Sequence, residues 1–193
     1  MKKTILSLAF ALVFGFSATA TEPIEGEKKE VKTETSKVTW KAYKVTGSHY
    51  GSITLQSGSL LFDGDKLTGG EFTVDMSTIS TDDLEAGKGK EKLDGHLHSA
   101  DFFDTANHST SALKFTSVKA SGKNSYDVTG DLTIKGITKS VTFDVSVYGS
   151  KATATMKVDR TKYDIKYGSS SFFDDLKNKA IYDEFDLVVD LEF

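Results

Sequence analysis

Apolar and polar residues alternate one by one along most of the chain after residue 37, and no other feature constrains the fold as strongly. Successive side chains of a β-strand point to opposite faces, so this alternation indicates strands with one buried face. The alternating segments are 37–42, 71–76, 113–115, 126–134, 141–147, 152–158 and 185–193, with two shorter pieces within 53–62.

Short turn-forming sequences, such as Asp63-Gly64 and Lys135-Gly136, separate these segments. Clean alternation favours antiparallel over parallel pairing. About eight antiparallel strands joined by short turns can close into a barrel that has no free edges. The sequence therefore predicts an all-β fold, an eight-stranded antiparallel β-barrel.

The segments 80–104 and 172–179 lack the alternation. In the first, Ser80 and Asp83 have the spacing of a helix cap, and Leu93 and Leu97 would share one helical face. In the second, three apolar residues have the spacing of one helical face: Phe172, Phe173 and Leu176. We expect one or two short helices beside the barrel.

The first 20 residues have the pattern of an export signal. Lys2 and Lys3 precede an apolar run at 5–16, and Ala18-Thr19-Ala20 supplies small residues for cleavage after Ala20. This pattern predicts an exported protein. Glu, Lys and Thr dominate residues 21–36, which we interpret as a flexible leader, and the folded domain is expected to span 37–193.

Charge and composition exclude several classes of function. The net charge is −4, and cleavage would remove two lysines with the signal. An acidic chain is a poor partner for nucleic acid, which rewards a basic surface. The chain has no cysteine, which excludes disulfides, thiolate catalysis and thiolate metal sites.

The polar residue types used in catalysis occur without a recognisable motif. The histidines and aspartates of 96–108 match no tight metal signature. The carboxylate pairs at 82–83, 174–175 and 183–184 lie where capping and turn residues are expected. No nucleophile elbow, zinc motif or phosphate-binding glycine loop is present. We therefore predict no catalytic residue, no metal and no cofactor, and the protein is not expected to be an enzyme.

The chain has 13 Phe, seven Tyr and one Trp. An eight-stranded barrel is either just filled by its side chains or holds one ligand, and alternation does not separate these two cases. The residues of the inward phase are candidates for an apolar cavity wall or for an ordinary core: Trp40, Phe72, Val74, Met76, Phe115, Leu132, Ile134, Phe143, Val145 and Met156. Phe102 and Phe103 are candidates for a lid or portal.

A series of motifs resembles the YceI-like, polyisoprenoid-binding family, and the motifs keep their order along 37–193. They are Trp40 with VTGSHYG at 45–51, GGEFTVDM at 69–76, HLHSADFFD at 96–104, GDLTIKGIT at 130–138, and Val158-Asp159-Arg160 followed by Tyr163 and Tyr167-Gly168. The chain departs from the family pattern at 107–110, where an aromatic-proline pair is common, and at Asp164, where glycine is common.

The resemblance implies a lipocalin-like barrel that encloses a polyisoprenoid or other long-chain lipid, in the periplasm and without catalysis. Such a carrier would contact a membrane transiently and would be a monomer or a homodimer. His49, Arg160 and Tyr167 are candidates for contact with a polar headgroup. Three other interpretations remain open. The first is a small outer-membrane β-barrel, and the second is an enzyme that acts on an apolar substrate in the same barrel. A third is an interaction module with a packed core.

Overall fold

Nine β-strands and one α-helix make up most of residues 26–193, the part of the chain that the computed structural model describes. The expected signal peptide, 1–20, lies outside the described residues. The strands are β1 (Glu27–Glu30), β2 (Lys37–Lys44), β3 (Gly47–Asp63), β4 (Lys66–Thr81), β5 (Thr110–Ala120), β6 (Ser125–Ile134), β7 (Ile137–Tyr148), β8 (Lys151–Asp159) and β9 (Ile181–Glu192); the helix is α1 (Lys90–His98). Single 3₁₀ turns occupy Arg160–Tyr163 and Lys177–Lys179.

Strands β2 to β9 close into an antiparallel barrel. The neighbours follow the order β3-β2-β9-β8-β7-β6-β5-β4, and β4 pairs back onto β3. Hairpins join successive strands from β5 to β8, so the fold is close to a meander. The predicted eight-stranded antiparallel β-barrel is confirmed.

Strand β1 shows that the flexible-leader prediction is wrong for the described part of 21–36. β1 pairs with the last part of β3, from Glu27 opposite Phe62 to Glu30 opposite Ser59. Val31 is buried, and its N–H donates to the carbonyl of Gly58. The composition of 21–36 did not indicate this strand, because the strand pairs through backbone hydrogen bonds and its charged side chains stay largely in solvent.

The segment 53–62, predicted as two pieces, belongs to the single long strand β3. The pairing of β3 with β4 shifts between Leu55 and Ser57, which is a β-bulge that bends the strand without ending it. Gly58 follows the bulge, opposite Phe72. A Cβ at Gly58 would lie 2.6 Å from the Phe72 ring, so this position serves close packing and is not a turn.

Helix α1 confirms a helix within 80–104, but its start differs from the prediction. Ser80 is part of β4, and Asp83 accepts a hydrogen bond from the backbone N–H of Tyr50. The helix follows Gly89, whose φ of 105° ends the preceding loop. Asp94 ties the helix to the barrel, because it accepts the Thr81 N–H at 2.7 Å.

The second predicted helix, at 172–179, is reduced to the 3₁₀ turn Lys177–Lys179. Asp175 and Lys177 have left-handed φ values of 60° and 49°, which interrupt helical hydrogen bonding. Phe172 and Phe173 are each 50% exposed, so the expected apolar face is not buried against the barrel.

The two ends of the barrel are closed differently. At the end near β1, the rings of Phe62 and Phe193 lie 5.5 Å apart, and Lys29 lies over both. At the other end, Leu97 of α1 and the loop that follows it lie over the lumen. Within residues 26–193, no helix has the length and apolar character needed to cross a membrane.

Candidate ligand-binding cavity

The barrel lumen contains a cavity of about 160 Å³. All eight barrel strands contribute to its wall, together with α1 and loop residues at the α1 end of the barrel. An apolar cavity of roughly 150 Å³ stays dry and binds small apolar molecules. The lumen therefore keeps unfilled apolar space inside an otherwise packed core.

Every residue predicted for the cavity wall or the lid lies against this cavity. These twelve side chains are Trp40, Phe72, Val74, Met76, Phe102, Phe103, Phe115, Leu132, Ile134, Phe143, Val145 and Met156. The ten strand residues among them lie against the cavity because one phase of every barrel strand faces the lumen. Their contact with a lipid stays a prediction.

The wall also includes residues that the prediction did not name, and the alternating part of the last strand, 185–191, supplies four of them. These are Phe185, Leu187, Val189 and Leu191 of β9. The same alternation marks them in the sequence, so the pattern could have identified them. The residues that β3 contributes were harder to find, since its bulge changes the phase.

Three phenyl rings form a continuous aromatic side of the lumen. The ring centroid of Phe115 lies 5.6 Å from that of Phe72 and 5.7 Å from that of Phe143. A Cβ at Gly70 would come within 2.9 Å of the Phe115 ring, so the glycine leaves space for it. These rings on β4, β5 and β7 give the cavity a rigid face.

Phe102 and Phe103 cover the cavity at its α1 end. Their ring centroids are 5.1 Å apart, and both side chains are buried. The loop that carries them is fixed by backbone hydrogen bonds, because Phe103 N–H donates to Leu97 and Phe102 N–H donates to Ser99. Their position agrees with the lid that the sequence suggested.

Arg160 is the predicted headgroup residue that lies in the cavity wall. It is only 2% exposed. Its guanidinium donates to the carbonyls of Tyr182, Ile165 and Ile181 at 3.0, 2.7 and 3.0 Å. Burial lowers the pKa of this group, and the nearby charge of Asp183 opposes that shift. Arg160 thus holds the loop after β8 against β9 and brings a buried cation to the lumen.

Asp183 is the carboxylate beside this cation, 3.6 Å from the Arg160 guanidinium. Burial by itself raises the pKa of Asp183, but hydrogen bonds from Ser169 and Ser171 and the charge of Arg160 outweigh it, so the pKa is lowered. The carboxylate is therefore ionised at neutral pH and balances the buried charge.

His49 and Tyr167, the other two predicted headgroup residues, do not lie in the cavity wall. His49 Nδ1 is 2.9 Å from an oxygen of Asp83. Tyr167 is 49% exposed and its ring packs against His96 at 4.3 Å. Both residues instead hold the loops around the α1 end of the barrel.

Tyr182 marks the mouth of the cavity, since it lines the cavity and is also 56% exposed. It lies at the start of β9, next to the Arg160 guanidinium that binds its carbonyl. The backbone N–H of Val45 donates to Ala180, which brings the β2–β3 hairpin to the same end.

Two of the polar residues considered for catalysis or metal binding have structural partners. His98 Nδ1 lies 3.0 Å from the Thr105 hydroxyl, and Asp104 accepts hydrogen bonds from Asn107. Burial lowers the pKa of His96, which favours its neutral form. Among residues 26–193, no three His, Asp or Glu side chains are grouped as metal ligands.

Fold and cavity together define a lipocalin-like β-barrel protein with an apolar interior. The sequence model of the YceI-like domain matches residues 30–193, and the chain belongs to this family. A UPF0312 protein of Azotobacter vinelandii is 31% identical over 143 residues, which are 73% of this chain and 70% of that protein. Protein YceI of Escherichia coli O157:H7 is 33% identical over 150 residues, 77% of this chain and 74% of that protein.

Two solved structures share the fold. BcnA of Burkholderia cenocepacia has a TM-score of 0.65 at 22% identity and covers 83% of this chain and 98% of its own. A polyisoprenoid binding domain from Saccharophagus degradans, implicated in plant cell wall breakdown, has a TM-score of 0.59 at 15% identity. That match covers 84% of this chain and 97% of the domain. At these identities the likeness establishes the barrel fold.

Proposed function

We propose that this protein is a non-catalytic periplasmic carrier that holds a polyisoprenoid or a similar long-chain lipid inside its barrel. The observation that carries the proposal is the cavity, whose wall combines apolar side chains from all eight barrel strands. The name of the Saccharophagus degradans domain, which shares the fold, supports a polyisoprenoid as the ligand class.

The energetics of lipid transfer suit such a cavity. Removing one CH₂ group from water gains about 0.8 kcal/mol, so a long tail would bind irreversibly if it came from water. A membrane lipid has its tail out of water already, and its exchange between bilayer and barrel is nearly balanced. A carrier therefore needs only a modest preference, which an apolar wall supplies.

The cavity can adapt to a tail larger than its present free volume. Met76 and Met156 lie in its wall, and the unbranched thioether of methionine fills irregular gaps and changes rotamer easily. The rings of Phe115 and Phe143 form the rigid side of the cavity, and a lipid chain can lie across the cavity from them. Entry is proposed at Tyr182, where the cavity wall meets solvent.

Export is the second part of the proposal and rests on the pattern of residues 1–20. Cleavage after Ala20 predicts a mature chain that starts at Thr21. N-terminal sequencing of the protein from the periplasmic fraction of its own host tests this part. If the protein is found in the cytosolic fraction and its first residue is Met1, the export part of the proposal is wrong.

Lipid uptake in the lumen is tested by a pair of neighbouring substitutions on β8. Ala154 lines the cavity, whereas Thr155 is exposed on the outer face. Ala154→Phe should reduce uptake of a radiolabelled polyprenol from phosphatidylcholine vesicles at least tenfold, because the new ring occupies the cavity. Thr155→Phe should take up as much as the unmodified protein. Equal uptake by both variants would place the lipid outside the lumen.

A further inference from the structure

Residues 169–180 form a loop that leaves and rejoins the barrel at one point, and we name it the mouth loop. The N–H of Ile181 donates to the carbonyl of Gly168 at 2.8 Å, which closes the loop at its base. Ile181 and Tyr182, the first two residues of β9, line the cavity. The mouth loop is therefore anchored beside the mouth of the cavity.

Phe172 and Phe173 expose their rings on the mouth loop. Each is 50% exposed, whereas the other phenylalanines that the structure describes are buried or half-buried. Within the described chain, neither ring belongs to the core or to the partly buried side chains packed against it. The hydroxyl of Ser171 donates to Asp183, the neighbour of Tyr182, at 2.5 Å, which keeps this segment at the cavity mouth. Adjacent exposed apolar side chains of this kind mark an interaction site.

The same end of the barrel carries further exposed apolar side chains. Val45, in the β2–β3 turn, is 51% exposed, and its N–H donates to Ala180 at the end of the mouth loop. Tyr167 and Tyr182 are 49% and 56% exposed. Tyrosine suits a membrane–water interface, because its ring is apolar and its hydroxyl remains hydrated.

Exposed charges of both signs lie on the mouth loop and on the segment before it. They are Lys162, Asp164, Lys166, Asp174, Asp175, Lys177 and Lys179. Lys166 lies over the Phe172 ring at 5.2 Å and pairs with Asp164 at 2.6 Å. Charges that nearly cancel complement zwitterionic headgroups, which present both an ammonium and a phosphate group. An anionic membrane surface would instead reward a cluster of basic residues alone.

A second copy of the chain could also cover these rings, but it would lie over the mouth at Tyr182, where lipid entry is proposed. A bilayer surface covers the same rings and at the same time presents its lipids to the mouth. The position of the rings beside the mouth therefore favours a bilayer as the partner.

We propose that Phe172 and Phe173 dock the protein on the surface of a zwitterionic bilayer and hold the cavity mouth against it. This inference rests on the proposed function and names the surface that contacts the source of the lipid. Neither ring lines the cavity. Docking therefore speeds the exchange of lipid without changing the amount that the lumen holds at equilibrium.

The first test measures the rate of uptake of a radiolabelled polyprenol from phosphatidylcholine vesicles. The double variant Phe172→Ser, Phe173→Ser should lower the initial rate about tenfold, because two half-exposed rings no longer enter the bilayer. The final amount bound should equal that of the unmodified protein. The matched control, Tyr148→Ser, removes a ring that is 60% exposed at the opposite end of the barrel, and it should change neither quantity. An unchanged initial rate in the double variant would overturn the inference.

The second test measures insertion directly and does not depend on uptake. Phe173→Trp should lose most of its added fluorescence on vesicles of phosphatidylcholine with brominated acyl chains, after subtraction of the signal of the unmodified protein, whose only tryptophan is Trp40. Tyr148→Trp should keep its added fluorescence. An unquenched Phe173→Trp would overturn the docking surface.

The outcomes separate this inference from the function on which it rests. If the unmodified protein takes up no polyprenol while Phe173→Trp is quenched, the carrier function fails and the docking surface stands. Normal uptake with no quenching supports the carrier and overturns the docking surface. Sedimentation that shows a dimer, which the double serine variant converts to a monomer, would assign the surface to a second copy and overturn the inference too. Equal midpoints of thermal unfolding confirm that the variants are folded.

Discussion

Phe143 and Asp144 are neighbours on β7 with opposite surroundings. Phe143 is 5% exposed and packs against Phe115 in the lumen, whereas Asp144 is exposed on the outer face. Alternation determines this difference, because adjacent side chains of a strand point to opposite faces.

Phe143→Asp is expected to abolish cooperative folding. Removal of a buried phenyl ring costs about 3–5 kcal/mol, and burial of the new carboxylate adds several more, against a typical total stability of about 5–15 kcal/mol. The control Asp144→Ser should change the free energy of unfolding by no more than about 0.5 kcal/mol. Urea unfolding followed by circular dichroism measures both, and a normal transition for Phe143→Asp would contradict the inward assignment.

Arg160 binds three backbone carbonyls and also lies in the cavity wall. Arg160→Met should destabilise the protein by about 3–5 kcal/mol, since it leaves the carbonyls of Ile165, Ile181 and Tyr182 without their donors. Lys157→Met removes an exposed ion pair with Asp186 and should cost less than about 1 kcal/mol. The midpoints of urea unfolding compare the two, and equal small losses would show that the carbonyl contacts contribute little.

The pairing of the first and last barrel strands, β2 and β9, is stabilised by an ionised carboxylate as well as by backbone hydrogen bonds. Asp186 of β9 accepts a hydrogen bond from the Tyr43 hydroxyl of β2 at 2.6 Å and one from Lys157 of β8 at 2.9 Å. The hydrogen bond from Tyr43, followed by the one from Lys157, lowers the pKa of Asp186. This carboxylate therefore links three neighbouring strands.

The pKa of Asp186 predicts acid sensitivity at this closure. Because the folded pKa lies below the ordinary value of 3.8, the stabilisation is fully present above that value and is lost as the pH falls through the folded pKa. Asp186→Asn should lose about 1 kcal/mol at neutral pH and show a smaller further loss below about pH 4. The exposed Asp190 on the same strand provides the control Asp190→Asn. If the acid-induced loss is as steep in Asp186→Asn as in the unmodified protein, other carboxylates cause it.

At the scale of single elements, the alternation of apolar and polar residues predicted the strands that bury one face. It did not predict features that depend on backbone geometry alone. It predicted β7, β8 and β9 because one face of each is apolar. It missed β1, whose pairing with β3 uses backbone groups of a charged segment. Helical spacing of apolar residues predicted a helix at 172–179, where left-handed residues at 175 and 177 interrupt the chain; single-residue φ values leave no periodic signal in a sequence.

At the scale of the whole molecule, the apolar phase of the strands faces inward and the charged phase faces outward. The outer positions Asp144, Lys151 and Lys157 are exposed, while the lumen is lined by aromatic and aliphatic side chains. A membrane-spanning barrel needs the reverse arrangement, with an apolar band outside. The orientation of the two phases thus favours a carrier over the outer-membrane barrel that alternation alone left open.

Prediction of the site also had a limit at this scale. The twelve wall and lid residues could be named from the sequence, but the free volume between them could not, because it depends on how the rings of Phe72, Phe115 and Phe143 pack across the barrel. The headgroup candidates were harder still. Arg160 lies in the wall, whereas His49 at the start of β3 and Tyr167 in a loop lie outside it.

Native mass spectrometry of the protein isolated from the cell envelope of its own host tests the carrier function most directly. The account predicts a complex heavier than the mature polypeptide by the mass of one long-chain lipid, and Ala154→Phe prepared in parallel should lack that extra mass. The polypeptide mass alone in repeated host preparations, with a crystal structure in which side chains fill the lumen, would contradict the account.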